Sequence, residues 1–544
     1  MNYREKYEYW LENADEASIQ ELRALDDAEI ESRFHKDMEF GTGGIRGVIG
    51  AGTDRINIYT VRKATKGFAE YIKGFGRDAM RRGVVIAHDN RRMSREFAEN
   101  TAGVLAAAGI HVYLFSTLHT TPQLSFAVRF KNAFGGVVIT ASHNPPEYNG
   151  YKLYDETGCQ LVPHYTDKVI AHINAIEDVF AIKCDTASAE IELVGEEIDA
   201  AYYEQVTKLC TGGELDKDFK IVYSPQHGTG AEPVVYMLKT LGYQIYPVTE
   251  QMPPDPEFSN TKNPNPESDE AFELPVKYAE KIGAELVIVT DPDCDRLGVA
   301  VRTKSGFVRL TGNQSGAVLL EYVLKRRGSV KNGVMINTIV TSDLGDKIAA
   351  AYGVKTEKTL TGFKFIGSKI HEHKLLGDAE FVFGYEESYG CLIGDFVRDK
   401  DGVQASVMLC EAAAYYKKQG MSLVDVLEGI YEKYGYSLDY LSSITLKGIG
   451  GAEKIRSITA KLRSKPPKEI AGMTVTKVED YLSDDTGLPK SDVIKLYTDD
   501  GSWIAVRPSG TEPKCKFYYC IYASDKPMAE NKLTAIRKCI EPNA

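Results

Sequence analysis

No stretch of this 544-residue sequence is apolar and long enough to span a bilayer: the longest apolar-looking run, GVLAAAGIHVYLF (103–115), is too short and too interrupted. The leading MNYREKYEYW is charged and has no apolar core of the kind a secretory signal carries. Cysteine forms no framework. Nine are scattered, at 159, 184, 210, 294, 391, 410, 515, 520 and 539, without the close spacing of a metal site. The odd number predicts a reducing cytoplasm, with most thiols packed as small apolar side chains. Excess positive charge is missing too, since 65 Lys and Arg face 77 Asp and Glu for a net charge of −12. That argues against a nucleic-acid partner, while leaving room for small anions in a local basic pocket. Low-complexity segments are absent. A soluble cytoplasmic protein, monomer or dimer, without membrane or nucleic-acid partners is the expectation.

The composition, 43% hydrophobic and 26% charged, is that of an ordinary globular chain. At roughly 150 residues per domain the length predicts about three or four domains. Residues 1–38 read as an acidic helical extension, with Ser18 and Glu21 spaced as a capping box. Beyond it, β-rich runs alternate with helical patterns. RRGVVIAHD, HVYLFST and GGVVIT form a first group, KIVYSP, YQIYPVT and AELVIVTD a second, and GVMINTIV, VKTEKTL and EFVFGYEE a third. Three such blocks predict three successive mixed-sheet α/β domains. A C-terminal α+β domain follows, ending in SDVIKLYTDDGSWIAVRPSG, KCKFYYCIYAS and a helix. The expected boundaries are 1–210, 211–305, 306–435 and 436–544, with cuts at LCTGGELDKD, at the TKSG turn and after MSLVDVLEGIYEKYG. Ligand sites in such sheets gather beyond the strand C-termini, which predicts a central cleft.

Each block delivers a polar cluster where a strand should end. VVITASHNPPEYNGYK (137–152) leads from a buried strand to Ser142, His143 and Asn144; two prolines follow, and Asn149-Gly150 reads as a turn toward Lys152. VTDPDCDRLG (289–298) sets Asp291, Asp293 and Asp295 at alternate positions before Arg296. Carboxylates that close repel unless a cation neutralises them. Calcium-loop identity fails, because Arg296 and Arg302 stand where an EF-hand needs Gly and Glu, so magnesium fits better. FGYEESYG (383–390), ahead of VRDKDG (397–402), suits hydrogen bonding to vicinal hydroxyls, and TLTGFKFIG (359–367) offers Thr361, the Gly362 amide and Lys364 to a polar or anionic group. VRPSGTEPK (506–514) brings Arg507, Ser509, the Gly510 amide and Thr511 together, a composition that cradles phosphate without being a Walker loop. Arg46 in FGTGGIRG and Arg91 in HDNRRMS read as anion contacts or, equally, as solvated arginines beside glycine turns.

Taken together, TASHNP, DPDCDR, GYEES and RPSGTEP resemble, in order and over nearly the whole chain from residue 40, the loops of the α-D-phosphohexomutase superfamily of phosphoglucomutases and phosphomannomutases. The length, the helical extension and TLTGFKFIG are most similar to the branch related to phosphopentomutase and glucose-1,6-bisphosphate synthase. Two departures are the tyrosine inside GYEES and the short PPEYNGYK.

The resemblance implies a phosphoserine at Ser142, with Mg²⁺ bridging its phosphate to Asp291, Asp293 and Asp295. It implies transfer of that phosphoryl group to a sugar monophosphate through a bisphosphate such as glucose 1,6-bisphosphate. Arg46, Arg296 and Lys152 would serve the transfer. Glu386 and Ser388 would hold sugar hydroxyls, and Arg507, Ser509, Gly510 and Thr511 would grip the phosphate not being moved. Lys400 or His143 would be the general acid/base. The expected activity is interconversion of glucose 1-phosphate and glucose 6-phosphate. Pentose or mannose phosphates, a bisphosphate synthase, a magnesium phosphatase and a sugar-phosphate sensor are the alternatives.

Overall fold

The structure, a computed structural model, describes residues 1–41, 43–446, 451–483, 485–508 and 514–541. Three mixed sheets follow one another along the chain, and an antiparallel sheet closes it. The first contains β1 (Gly44–Val48), β2 (Val84–His88), β3 (Val112–Phe115), β4 (Gly135–Ile139), β5 (Tyr148–Asp155) and β6 (Ile191–Val194), in the order β1-β5-β4-β2-β3-β6. The second contains β7 (Lys220–Ser224), β8 (Gln244–Pro247), β9 (Leu286–Thr290), β10 (Leu297–Thr303) and β11 (Gly306–Leu310), in the order β11-β10-β9-β7-β8. The third contains β12 (Gly333–Thr338), β13 (Lys355–Thr359), β14 (Glu380–Tyr385) and β15 (Cys391–Leu392), in the order β13-β12-β14-β15. The strands at the centre, β2, β4, β7, β9 and β12, are buried at nearly every position, as expected of sheets covered by helices on both faces.

The three sheets share one device. In each, a strand parallel to its inner neighbour is followed by an antiparallel strand: β4 lies between β2 and β5, β9 between β7 and β10, and β14 between β12 and β15. The short connection after that strand is where the polar cluster falls, at 140–147, 291–296 and 386–390. Each connection also holds one non-glycine residue in the left-handed region: Ser142 at φ 52°, Cys294 at φ 55° and Tyr389 at φ 69°. Such a conformation costs about 1 kcal/mol or more and persists where the surroundings impose it. The polar clusters expected at strand ends therefore sit at one structural position, used three times.

The fourth sheet contains β16 (Ser437–Thr445), β17 (Glu469–Ile470), β18 (Met473–Asp480), β19 (Ile494–Thr498), β20 (Trp503–Pro508) and β21 (Lys514–Tyr522), closed by the helix Lys526–Ile540. Among the described residues no helix is long and apolar enough to cross a membrane, and all nine cysteines are unpaired.

Three local expectations change. The TKSG turn at 305 is the tip of the β10–β11 hairpin, so residues 306–310 complete the second sheet rather than open the third unit. Asn149-Gly150 is no turn but lies inside β5, opposite Gly47 and Arg46 of β1. A Cβ on Gly150 would come within 2.3 Å of the Thr140 carbonyl oxygen, so close approach of flanking backbones requires the glycine there. In the extension, which forms three helices (Tyr3–Asn13, Glu16–Arg23, Asp27–Phe34), the cap before Glu16 is Asp15. It accepts the Ser18 N–H at 2.9 Å, and Glu21 is turned instead to Arg33 and the Ala51 N–H.

Candidate active site

The serine loop is shaped from beneath by Arg91. Its guanidinium is fully buried and donates to the carbonyls of Ser142 at 2.6 Å, Pro145 at 2.8 Å and Tyr148 at 2.9 Å, with Asp89 beside it at 3.3 Å. Arg91 is thus committed to backbone and is not the anion contact the sequence suggested. Arg46 faces the loop from β1 and donates to Asn144 Oδ1 at 3.0 Å. Arg91→Ala would strip the loop's carbonyls of donors and leave Asp89 a buried, unpaired charge. We expect a loss of about 3–5 kcal/mol, read as a lowered midpoint in urea denaturation.

Ser142 is 3% exposed. Its N–H donates to Thr140 Oγ1 at 2.8 Å and its hydroxyl to Asp291 Oδ2 at 2.8 Å, while His143 Nδ1 lies 3.1 Å from the same Oγ. The first two loops, 149 residues apart in the chain, thus meet on one oxygen. Asp291, Asp293 and Asp295 are buried, with ligand atoms all within 4.8 Å of one another. Burial and its two neighbours push the Asp291 carboxyl well above the usual carboxylate range. Buried Asp293 Oδ1 and Asp295 Oδ1 have no hydrogen-bond partner. Clustered, buried, partnerless carboxylate oxygens are the donor set a hard divalent cation takes, so the residues fit a metal.

Cations ring the triad. Lys152 Nζ is 2.9 Å from Asp293 Oδ2, and Lys400 Nζ is 3.0 Å from Asp295 Oδ2 and 3.2 Å from Asp399 Oδ1. Burial pulls the Lys400 ammonium down, yet Asp295, Asp399 and Glu386 outweigh it and hold the group above its ordinary range. Arg296 lies 2.5 Å from Glu267 Oε1 and 3.8 Å from Asp295 Oδ1.

The third loop joins the TLTGF segment directly, because Glu386 Oε1 accepts the Gly362 N–H at 2.8 Å. The buried Thr361 hydroxyl has no partner, burial brings the Lys364 ammonium down to about 8, and Ser388 is half-buried. Tyr385, the unusual residue of GYEES, is a core side chain packed against Gly316 and Gly345. From the fourth sheet, Arg507 on β20 stands opposite Lys516 on β21. Like charges directly across a sheet repel unless an anion joins them. The loop residues Ser509, Gly510 and Thr511 lie outside the described residues.

Four family models match this chain in order: the three phosphoglucomutase/phosphomannomutase alpha/beta/alpha domains over 37–180, 200–306 and 311–434, and the C-terminal domain over 460–530. The chain belongs to this family. It is accordingly an enzyme, a phosphohexomutase, and its buried aspartate triad fits a metal site. Curated relatives named phosphoglucomutase come from Staphylococcus aureus strain MRSA252, 38% identical over 97% of this chain and 98% of its own, and Staphylococcus epidermidis, 38% identical over 94% and 95%. A putative phosphomannomutase structure from Thermus thermophilus shares the fold, with TM-score 0.71, 23% identity and coverage of 93% and 100%.

Several residues of this phosphohexomutase that bear on the site were not singled out from the sequence. Thr121 donates its hydroxyl to Asp293 Oδ2 at 3.0 Å and its N–H to the Asp293 carbonyl at 3.0 Å. Thr229, in QHGTG, holds the Pro292 carbonyl through its N–H at 2.8 Å and its hydroxyl at 2.9 Å. Glu267 reaches Arg296 from a long loop of the second unit, and Lys516 joins Arg507 through sheet register. HTTPQ and QHGTG could have been flagged as polar segments after strands; Glu267 and Lys516 could not.

Proposed function

We propose that this enzyme interconverts glucose 1-phosphate and glucose 6-phosphate, with Ser142 carrying the phosphoryl group between turnovers. The observation that carries the reading is the Ser142 hydroxyl, buried at a left-handed turn and hydrogen-bonded to the triad at 2.8 Å, with an imidazole nitrogen 3.1 Å away. The name of the 38%-identical relatives supports glucose as the sugar. The unpaired cysteines support a reducing compartment, the cytoplasm.

Asp291, Asp293, Asp295 and the Ser142 oxygen would hold Mg²⁺, which when bound supplies positive charge to the phosphoryl oxygens. In the first half-reaction the sugar's free hydroxyl oxygen bonds to phosphorus, the bond from phosphorus to Ser142 Oγ breaks, and the hydroxyl's proton ends on Ser142. The product is glucose 1,6-bisphosphate. After that molecule turns around, Ser142 Oγ bonds to the second phosphate, and the proton returns to the sugar oxygen released. His143, within hydrogen-bond distance of Oγ, is placed to pass the proton on the serine side. Lys400, Lys152, Arg46 and Arg296 offset the charge that develops, which phosphoryl transfer needs more than covalent help. Glu386 and Ser388 take sugar hydroxyls, while Thr361, the Gly362 amide and Lys364 line the same side. Arg507, Ser509, Gly510, Thr511 and Lys516 hold the phosphate at rest.

Arg507→Gln is expected to lower kcat/KM about 10- to 100-fold, mostly through KM, because the resting phosphate is gripped in ground and transition states alike. Steady-state kinetics with phosphoserine content measured on the same preparation checks it. The sugar assignment is tested by a coupled mutase assay primed with glucose 1,6-bisphosphate. A higher kcat/KM for ribose 1-phosphate than for glucose 1-phosphate would replace the hexose with a pentose.

A further inference from the structure

Lys152 and Tyr154 lie two residues apart on β5 and therefore share a face of the strand. Lys152 meets the triad at Asp293. Tyr154, fully buried, crosses to the third unit and donates its hydroxyl to Asp399 Oδ2 at 2.7 Å. Burial and the adjacent Asp399 hold that phenol well above its ordinary range, so it is a donor. Asp399 is 3% exposed and spends its other oxygen on the Lys400 N–H at 2.8 Å and on Lys400 Nζ at 3.2 Å. Nζ also reaches Asp295 Oδ2 at 3.0 Å. One line of contacts thus runs from Tyr154 through Asp399 and Lys400 to the metal loop.

The first unit also holds the main chain around Lys400. Ser125 Oγ accepts the Arg398 N–H at 2.8 Å, and Tyr202 donates to Asp401, 2.8 Å from both carboxylate oxygens. The Lys400 stem is confined in turn, since a Cβ on Gly390 would come within 2.0 Å of Lys400 Cδ. These contacts fix backbone and stem. Among the described residues, Tyr154 alone fixes the far oxygen of the carboxylate that touches the ammonium.

We propose that Tyr154 is a positioning residue for Lys400. By saturating Asp399 Oδ2, it keeps that buried carboxylate from drawing the ammonium away from Asp295 and the reacting oxygens. The proposal rests on Lys400 acting in phosphoryl transfer. A phenol that merely filled core volume would be replaced by Phe at little cost to turnover.

The test compares wild type, Tyr154→Phe, Lys400→Ala and the double variant, with kcat and KM for glucose 1-phosphate, phosphoserine content and Tm measured on each. Tyr154→Phe should lower kcat about 10- to 100-fold with KM within about twofold, and in the Lys400→Ala background it should change kcat less than about twofold. Unchanged kcat in Tyr154→Phe overturns the proposal. So does an equal loss in both backgrounds, which would mean that the phenol supports the fold and does not act through Lys400. Wild-type turnover in Lys400→Ala would instead overturn the role given to Lys400, a separate and distinguishable failure. Should Tyr154→Phe not fold, Asp399→Asn replaces it, with a loss expected against wild type and none against Lys400→Ala.

Discussion

Ser142→Ala is expected to lower kcat by a factor on the order of 10⁴ or more, since on the proposed mechanism it removes the atom that accepts and returns the phosphoryl group. Intact-mass and peptide mass spectrometry should find one phosphate on the active wild-type protein, at Ser142, and none in the variant. The fold should survive. Ser142 is buried, but its backbone is held independently by Arg91 and by the Thr140 hydroxyl, and alanine removes only an oxygen. The left-handed φ of 52° remains to be imposed on alanine, so a modest drop in Tm is expected. Normal turnover by Ser142→Ala, in a protein unphosphorylated at this position, would remove the phosphoserine mechanism altogether.

Chelation of divalent cations should abolish turnover, and added magnesium should restore it. Asp293→Asn should cost about 100-fold or more in kcat with little loss of folding. Asn is nearly isosteric, keeps an oxygen for the Thr121 hydroxyl, and leaves the Thr121 N–H on the Asp293 carbonyl. It forfeits a ligand charge and the 2.9 Å ion pair with Lys152. A readout independent of turnover is the rise of Tm with magnesium concentration, because a ligand that binds only the native state stabilises it by mass action. Wild type should show that rise and Asp293→Asn a much smaller one. Full activity in excess chelator, or equal magnesium-dependent shifts in both proteins, would place the metal elsewhere or dispense with it.

The four chemical loops were legible in the sequence because each depends on local chemistry: an apolar strand run, then residues whose type announces a reaction. Three aspartates at alternate positions, fed by the apolar run ELVIVT, favour a cation over a solvated turn. Ser142 beside His143, taken alone, suits a turn equally well and gained its meaning from the four loops matching in order. The three α/β units and the α+β C-terminal unit followed from the same runs, since the spacing of apolar residues marks strands and helices without reference to partners. Strand order and the antiparallel pairing of the last sheet did not. Signals carried by residue type alone misled where tertiary packing overrode them. Asn149-Gly150 has the composition of a turn, yet Gly150 is squeezed between two strands at an approach that admits no side chain.

What the tertiary structure alone decided is which charged groups face the candidate site and which hold the loops. Arg46 and Arg91 look alike in sequence. One faces the serine loop from a strand, and the other is buried beneath it with its donors committed to carbonyls. Thr121, Thr229, Glu267, Lys516 and Tyr154 become relevant only through partners tens to hundreds of residues away or through sheet register. The reason is physical. Strand and turn propensities act over a few neighbouring residues, whereas the energy of a buried charge is set by whatever the fold brings within about 4 Å, and no local pattern encodes that distance.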